Sequence, residues 1–204
     1  MKTRIVSLIT LLIIVLSISV SNAATRDNNN GTQTAVIVAA NSINKIEASG
    51  NVEVYVTNGD RAQVKVYNNY YAKNALVQEK DGVLRIASYT ADKLVVLVTV
   101  TDLHAITAND NATIKSYGKL SLIELNLVLK NKASAQLNFD ALNASVTLNN
   151  RASAELSGSV FNYELAGSRL STINKTNLTV VNASEKNTIK IAAIRGAEEK
   201  TVSL

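Results

Sequence analysis

The stretch that decides the fold reads Asn131-Lys132-Ala133-Ser134-Ala135-Gln136-Leu137, and a near copy follows as Asn150-Arg151-Ala152-Ser153-Ala154-Glu155-Leu156. Both copies begin with a polar turn, continue with small residues and end on an apolar residue. Further copies begin at Asn109, Gly167 and Asn182. A period of about 20 residues is typical of stacked β-strand repeats that are buried only by their neighbours. The repeat therefore predicts an all-β fold, in the form of a parallel β-helix or β-solenoid.

Matching positions in the copies predict columns of side chains that run through the stack. The apolar residues that end the copies should line one column of the core: Leu137, Leu156, Ile173 and Ile189. Three asparagines recur at the turns: Asn109, Asn131 and Asn150. Their amides either bond to one another as a ladder, or they are ordinary turn residues that accept a left-handed backbone.

The region from Ile43 to Val100 predicts an N-terminal part made of β-hairpins, because apolar and polar residues alternate there. Asn58-Gly59 and Asp81-Gly82 each separate two alternating runs, and both dipeptides accept the positive φ of a tight hairpin turn. Leu94–Val98 is an uninterrupted apolar run. Such a run predicts a strand that is buried on both faces.

Residues 1–23 have the pattern of a cleaved signal peptide. A basic start at Lys2 and Arg4 precedes the apolar run Ile5–Val20 and the small exit Ser21-Asn22-Ala23. The run is shorter than the roughly 20 residues of a spanning helix, so no stable membrane span is expected after cleavage. We therefore expect an exported protein that is periplasmic, surface-bound or secreted.

The rest of the chain is expected to form one domain. Residues 24–40 predict a flexible mature N-terminus and an entering strand from Thr34, and residues 41–204 predict the solenoid domain. The chain has no cysteine, which excludes disulfides, thiolate metal sites and a cysteine nucleophile. Removal of Lys2 and Arg4 with the signal lowers the net charge from +5 to +3. These charges are scattered, so no nucleic-acid surface is expected.

Residues for catalysis are sparse in this sequence. His104 is the single histidine, so no metal or cofactor site is predicted, and with Asp102 it fits a turn better than a catalytic triad. Several carboxylates are spread over the repeats: Asp110, Glu124, Asp140, Glu155 and Glu164. An acid pair could still form between neighbouring strands about 4.8 Å apart, which keeps a carbohydrate-active enzyme as an alternative.

Three segments together resemble a known family. They are Ile46-Glu47-Ala48-Ser49-Gly50-Asn51-Val52-Glu53-Val54, Asp81-Gly82-Val83-Leu84-Arg85-Ile86 and Leu103-His104-Ala105-Ile106. Their order and spacing are similar to those of the family called putative auto-transporter adhesin, head GIN domain. The resemblance implies bacterial export, a β-solenoid and a proposed adhesin role, with no catalytic residues to carry over. The family often has proline before the third segment, where this chain has Thr101-Asp102.

The leading functional hypothesis is a non-enzymatic extracellular binding or adhesion module whose partner is a glycan or a surface protein. Tyr70 and Tyr71 form a candidate contact loop, or they pack back against the sheet edge. A structural envelope protein without its own ligand is a further alternative. A monomer is favoured because Glu198-Glu199-Lys200 would shield the last strand edge.

Overall fold

The computed structural model describes residues 34–37, 42–67, 75–186 and 190–191, all within the compact unit Thr32–Leu204. Every regular element among these residues is a β-strand, which confirms the predicted all-β class. The strands are β1 (Thr34–Ile37), β2 (Lys45–Gly50), β3 (Val52–Asn58), β4 (Gln63–Tyr67), β5 (Ala75–Lys80), β6 (Val83–Ser88), β7 (Leu94–Val100), β8 (Ala105–Asn109), β9 (Thr113–Ser116), β10 (Leu120–Leu129), β11 (Ser134–Leu148), β12 (Ser153–Gly167), β13 (Thr172–Lys186) and β14 (Lys190–Ile191). No helix in the described residues is long and apolar enough to cross a membrane. The predicted signal peptide and residues 24–33 lie outside the described part.

The sequence repeats lie side by side as parallel strands. In the pairing of β11 with β12, Ser134 is opposite Ser153, so each residue meets the one 19 positions later. Thr113 of β9 is opposite Ser134, which is a slightly longer step of 21 residues. Ser153 is opposite Thr172 of β13, at the same step as between β11 and β12. The period in the sequence is therefore the distance along the chain between paired strands.

Three of the repeats, those that lead into β9, β11 and β12, begin with a tight turn that contains one residue at positive φ. These residues are Asp110 (60°), Asn131 (62°) and Asn150 (61°). Asparagine and aspartate tolerate this backbone more readily than most residues with a side chain. A buried alanine closes each turn by donating its N–H three residues back: Ala112 to Asn109, Ala133 to Lys130 and Ala152 to Asn149. The small residues of the repeat thus fill the narrow space under the turns.

The asparagine ladder is present in the structure. Asn150 Nδ2 donates to Asn131 Oδ1 at 2.8 Å, and Asn131 Nδ2 donates to Asn109 Oδ1 at 2.7 Å. Asn131 Nδ2 also lies 3.0 Å from Asp110 Oδ1. The first turn differs from the next two in one respect. Its residue at positive φ, which corresponds to Asn131 and Asn150, is Asp110, and Asn109 comes directly before it.

The N-terminal strands pair in an order that differs from their order along the chain. The consecutive strands β2 and β3 lie between β6 and β7 on one side and β8 and β9 on the other, and all these pairs are parallel. Strands β4 and β5 flank this arrangement and pair antiparallel with β7 and β6. Strand β1, the described part of the predicted entering strand, pairs antiparallel with β4.

One of the two predicted hairpins is correct. Asp81 and Gly82 have φ of 54° and 78° and connect β5 to β6 as an antiparallel hairpin, with Lys80 opposite Val83. The hairpin predicted at Asn58-Gly59 is wrong, because β7 lies between β3 and β4 and pairs with both. The N–H of Gly59 donates to the carbonyl of Val100 at the end of β7, so the chain here crosses over a strand.

The prediction that Leu94–Val98 is buried on both faces is also wrong. Leu94, Val96 and Val98 are buried, whereas Val95 and Leu97 are half-buried. The outward face of β7 is therefore partly open to solvent, although its residues are apolar. An apolar run alone does not distinguish a strand covered on both faces from one covered on a single face.

The predicted core column is correct for two of its members. Leu137 and Leu156 are opposite each other and buried, but Ile173 is opposite Ala154. Fewer residues separate Leu156 from Ile173 than separate paired residues of β12 and β13. Ile173 therefore lies in the neighbouring column of the core. Ile189 lies outside the described residues.

Candidate functional site

One outward surface of the parallel strands is covered by polar side chains, and we call it the polar face. Because successive strand residues point to opposite sides, the outward residues of neighbouring strands form straight rows. The first row is Thr113, Ser134, Ser153 and Thr172. The second row is Tyr55, Lys115, Gln136, Glu155 and Asn174. The polar face thus presents hydroxyl, amide and charged groups at the spacing of the strands.

A groove of about 470 Å³ runs across the polar face. Amide and hydroxyl side chains form much of its walls: Gln136, Asn138, Ser157, Asn174 and Asn177. Leu137 and Leu156 also border the groove, but their side chains point into the core and each is only 1% exposed. Lys115 and Glu155 are the charged residues of the lining, so its formal charge is zero. The groove therefore has the chemistry of a site for an uncharged polar ligand.

The local backbone explains where the groove forms. Gly158 has a φ of 111°, and the pairing of β12 with β13 shifts between Glu155 and Ser157. This shift places Asn177 opposite Ser157, with two residues between Asn174 and Asn177 where β12 has one. An extra residue bends a strand locally and re-aims its side chains. The bulge therefore brings both Asn174 and Asn177 into the lining.

A cluster around Glu53 fixes one end of the groove. Glu53 Oε1 accepts hydrogen bonds from Tyr55 Oη and Lys115 Nζ, both at 2.7 Å. Its other oxygen, Oε2, accepts from Lys93 Nζ at 3.2 Å. Lys115 Nζ also lies 5.5 Å from the centre of the Tyr55 ring, within cation–π range. Tyr55 and Lys115 line the groove, so Glu53 positions two groups that a ligand would meet.

The cluster has clear electrostatic consequences. The hydrogen bond from Lys115, followed by that from Tyr55, lowers the pKa of Glu53 to about 2, against the opposing effect of burial. The same contact with Glu53 raises the pKa of Lys115 and of Tyr55. Glu53 is therefore ionised throughout the physiological range, and Lys115 is protonated.

We expect Glu53→Gln to change how stability depends on pH. The pKa of Glu53 is depressed from its ordinary 4.5 to about 2. Its ionised form therefore stabilises the fold above pH 4.5, and that contribution disappears as the pH falls towards 2. The variant should lose up to about 3 kcal/mol of unfolding free energy at pH 7 and almost none near pH 2. Urea unfolding across this range measures both, with the exposed Asp60→Asn as control. An equal loss at both ends of the range would contradict the assignment.

The residues predicted from sequence fall in several places. Tyr70 and Tyr71, the predicted contact loop, lie outside the described residues. His104 Nε2 lies 3.0 Å from Asp102 Oδ2 in the exposed link before β8, as expected for a turn residue. Asp140 accepts hydrogen bonds from Ser159 and Lys119, which lower its pKa. Within the described residues, no group of three or more His, Cys, Asp or Glu side chains could hold a metal ion.

Sequence reasoning missed the groove and the Glu53 cluster. A signal for the groove exists, since Gln136 and Glu155 are 19 residues apart. Asn174 follows Glu155 at the same interval, so aligning the repeats at this step would have revealed the polar row. The cluster has no comparable signal, because Lys93 and Lys115 are 40 and 62 residues from Glu53.

Comparisons with known proteins agree with this architecture. A putative adhesin from Parabacteroides distasonis has 18% sequence identity, covers 79% of this chain and 81% of its own, and superposes with a TM-score of 0.58. A putative adhesin from Parabacteroides merdae has 15% identity, 80% coverage of both chains and a TM-score of 0.55. A putative lipid binding protein from Parabacteroides distasonis has 11% identity, 77% and 78% coverage and a TM-score of 0.55. At these identities the similarity establishes a shared fold.

Sequence comparison identifies the family. No curated protein matches the chain. The family model described as putative auto-transporter adhesin, head GIN domain matches residues 16–193, which is most of the chain. The same family is the one that the three short segments resemble. The chain therefore belongs to the putative auto-transporter adhesin, head GIN domain family.

Proposed function

We propose that this protein is an exported, non-enzymatic binding module of the adhesin type, and that its groove holds a polar, uncharged polymer such as a glycan. The observation that carries the proposal is the groove, whose amide and hydroxyl walls extend over several strands. Side-chain amides and hydroxyls exchange hydrogen bonds readily with sugar hydroxyls. The Tyr55 ring at one end supplies an apolar surface for a sugar ring.

The proposal extends to the architecture and the location of the protein. We propose that the parallel repeats form one continuous β-solenoid, whose outward rows make an extended surface suited to a long ligand. Export and presentation at the cell surface are supported by the signal-peptide pattern of residues 1–23 and by the adhesin description of the family.

The carbohydrate-active enzyme has weaker support. A glycosidase needs two carboxyl groups beside the scissile bond, one of them an acid with a raised pKa. Glu155 is the carboxylate among the lining residues, and the nearby Glu53 has its pKa lowered by Lys115 and Tyr55. A carboxylate held ionised in this way cannot donate a proton near neutral pH. The groove chemistry thus favours binding over hydrolysis.

We expect purified mature protein to bind neutral glycans on an array, and we expect Gln136→Ala with Asn174→Ala to weaken that binding at least tenfold. Two lost hydrogen bonds at about 1 kcal/mol each account for this effect. Isothermal titration with the best array ligand measures it, and Thr147→Ala, on another outward surface, is the control.

Several outcomes would contradict the proposed site. Full binding by the groove variant, together with loss in a Tyr70→Ala, Tyr71→Ala variant, would place the site on the tyrosine loop. Failure to bind any glycan would leave a protein partner or a structural role in the envelope. Release of new reducing ends from a bound glycan, abolished by Glu155→Gln, would establish the enzyme.

A further inference from the structure

A straight row of exposed apolar side chains crosses four strands, β10 to β13, and we call it the apolar ridge. Its members are Ile123, Leu142, Phe161 and Val181, which are between 49% and 69% exposed. They align because the flanking residues are paired in register across all four strands. Strands bend at this point, and residues 123 and 124 both point outward, as do their equivalents in the next strands. The ridge therefore projects from the surface.

A row of polar side chains runs beside the apolar ridge, and we call it the amide row. Its members are Glu124, Asn143, Asn162 and Asn182. Asn182 Nδ2 donates to Asn162 Oδ1 at 3.0 Å, and Asn162 Nδ2 donates to Asn143 Oδ1 at 2.9 Å. These bonds fix the amides at the spacing of the strands. The row has one charged residue, Glu124, and it stands at the β10 end.

We propose that the apolar ridge binds the ridge of a second copy of this chain, with the two copies antiparallel about a twofold axis. In this arrangement Ile123 meets Val181 of the second copy, and Leu142 meets Phe161 of the second copy. The amide rows then also face each other, because an axis perpendicular to the ridge keeps both rows on the same side. Such self-complementarity is what a twofold interface requires.

Charge selects the antiparallel direction. An antiparallel pair places Glu124 opposite Asn182 of the second copy, whose amide has a second N–H to donate. A parallel pair would place Ile123 against Ile123 and would bring the two Glu124 carboxylates towards the same end of the interface. The carboxylate–amide pairing occurs twice in the antiparallel dimer, once at each end.

The exposed area sets the expected strength. Four half-exposed apolar side chains offer roughly 400 Å² per copy, and the amide row brings the contact closer to the roughly 800 Å² per partner of a standard interface. This area predicts a reversible dimer that depends on concentration. The amide row along one side of the ridge contains an acidic residue and no basic one, so this side gives no electrostatic attraction to an anionic membrane. The proposed dimer differs from the monomer expected from Glu198-Glu199-Lys200, residues that lie outside the described part, and that expectation stays an untested prediction.

Analytical ultracentrifugation of the mature protein over a range of concentrations tests the dimer. We expect Leu142→Glu with Phe161→Glu to raise the dimer dissociation constant at least tenfold, because four carboxylates would enter the interface. Leu170→Glu, which changes an exposed leucine in a turn, is the matched control and should leave the constant unchanged. All the substituted side chains are exposed, so circular dichroism should show the same folded spectrum for each variant.

A second variant tests the antiparallel direction by strengthening the dimer instead of disrupting it. Asn182→Lys should lower the dissociation constant several-fold at low salt, because the new ammonium faces Glu124 of the second copy. Adding Glu124→Gln should remove that gain.

Three outcomes would overturn the proposal: a protein that stays monomeric at every concentration, a dimer unaffected by the double glutamate variant, or weaker dimerisation by Asn182→Lys. Sedimentation of the monomer with phosphatidylcholine vesicles, lost in the glutamate variant, would assign the ridge to lipid instead. The dimer does not depend on the groove, so either proposal can fail alone.

Discussion

Replacing Leu156 by Asp should lower the free energy of unfolding by about 4 kcal/mol or more. Leu156 is buried against Leu137 of the neighbouring strand, and a carboxylate there would lose most of its hydration without gaining a cationic partner. Urea unfolding followed by circular dichroism measures the loss. Leu170→Asp, at an exposed turn position, should change stability by less than about 0.5 kcal/mol. If Leu156→Asp unfolds at the same urea concentration as the parent, the proposed core face is wrong.

Gly158→Ala should cost about 3 kcal/mol or more. A Cβ atom at Gly158 would lie 2.0 Å from the carbonyl oxygen of Phe139, which is backbone of the paired strand β11 and cannot rotate away. The substitution therefore forces β11 and β12 apart, next to the bulge between β12 and β13 that shapes the groove. Thermal and urea unfolding measure the effect.

Gly118→Ala is the matched control for this prediction. Gly118 also has a positive φ, of 83°, but a Cβ atom there would meet no heavy atom within 4 Å. Its alanine variant carries only the cost of the backbone conformation, about 1 kcal/mol. The difference between the two variants isolates the close approach of β11 and β12. Equal losses would show that the steric contact at Gly158 relaxes freely.

The repeat region was largely predictable because its turns and its core obey the same period. Asn131 and Asn150 mark equivalent turns, and the ladder between them follows from the regular step between the strands. The apolar ridge was predictable for the same reason, since Leu142 and Phe161 are separated by the same step and each precedes an asparagine. It was missed because exposed apolar residues resemble core residues until the repeats are aligned.

The N-terminal strands were less predictable because alternation shows which face is buried but does not identify the partner strand. Val54 and Val64 have the same pattern whether β3 pairs with β4 or each pairs with β7. Asn58-Gly59 favoured the local hairpin, but the apolar β7 provides a longer partner for β3 and pairs along its whole length. The long-range pairing of β3 with β7 therefore forms in place of the local hairpin that Asn58-Gly59 predicted.

The Glu53 cluster shows the corresponding limit for functional sites. Lys93 and Lys115 reach Glu53 only because β7 and β9 lie on either side of β3. Neither lysine is close to Glu53 in the sequence, and neither forms part of a repeated motif. Contacts of this kind can be proposed only when the order of the strands in the sheet is known.

The constant step between β11 and β12 also bears on how such proteins change in length during evolution. Residues 134–148 and 153–167 pair without a break in their offset. Each repeat therefore offers the next one the same kind of strand surface as the one on which it packs itself. Duplicating or deleting one whole repeat would therefore preserve the existing interfaces. An insertion of another length within a strand has to be absorbed by a local bulge, as the extra residue of β13 is between Asn174 and Asn177. Gene changes in whole repeats would lengthen or shorten the polar face in steps of one strand.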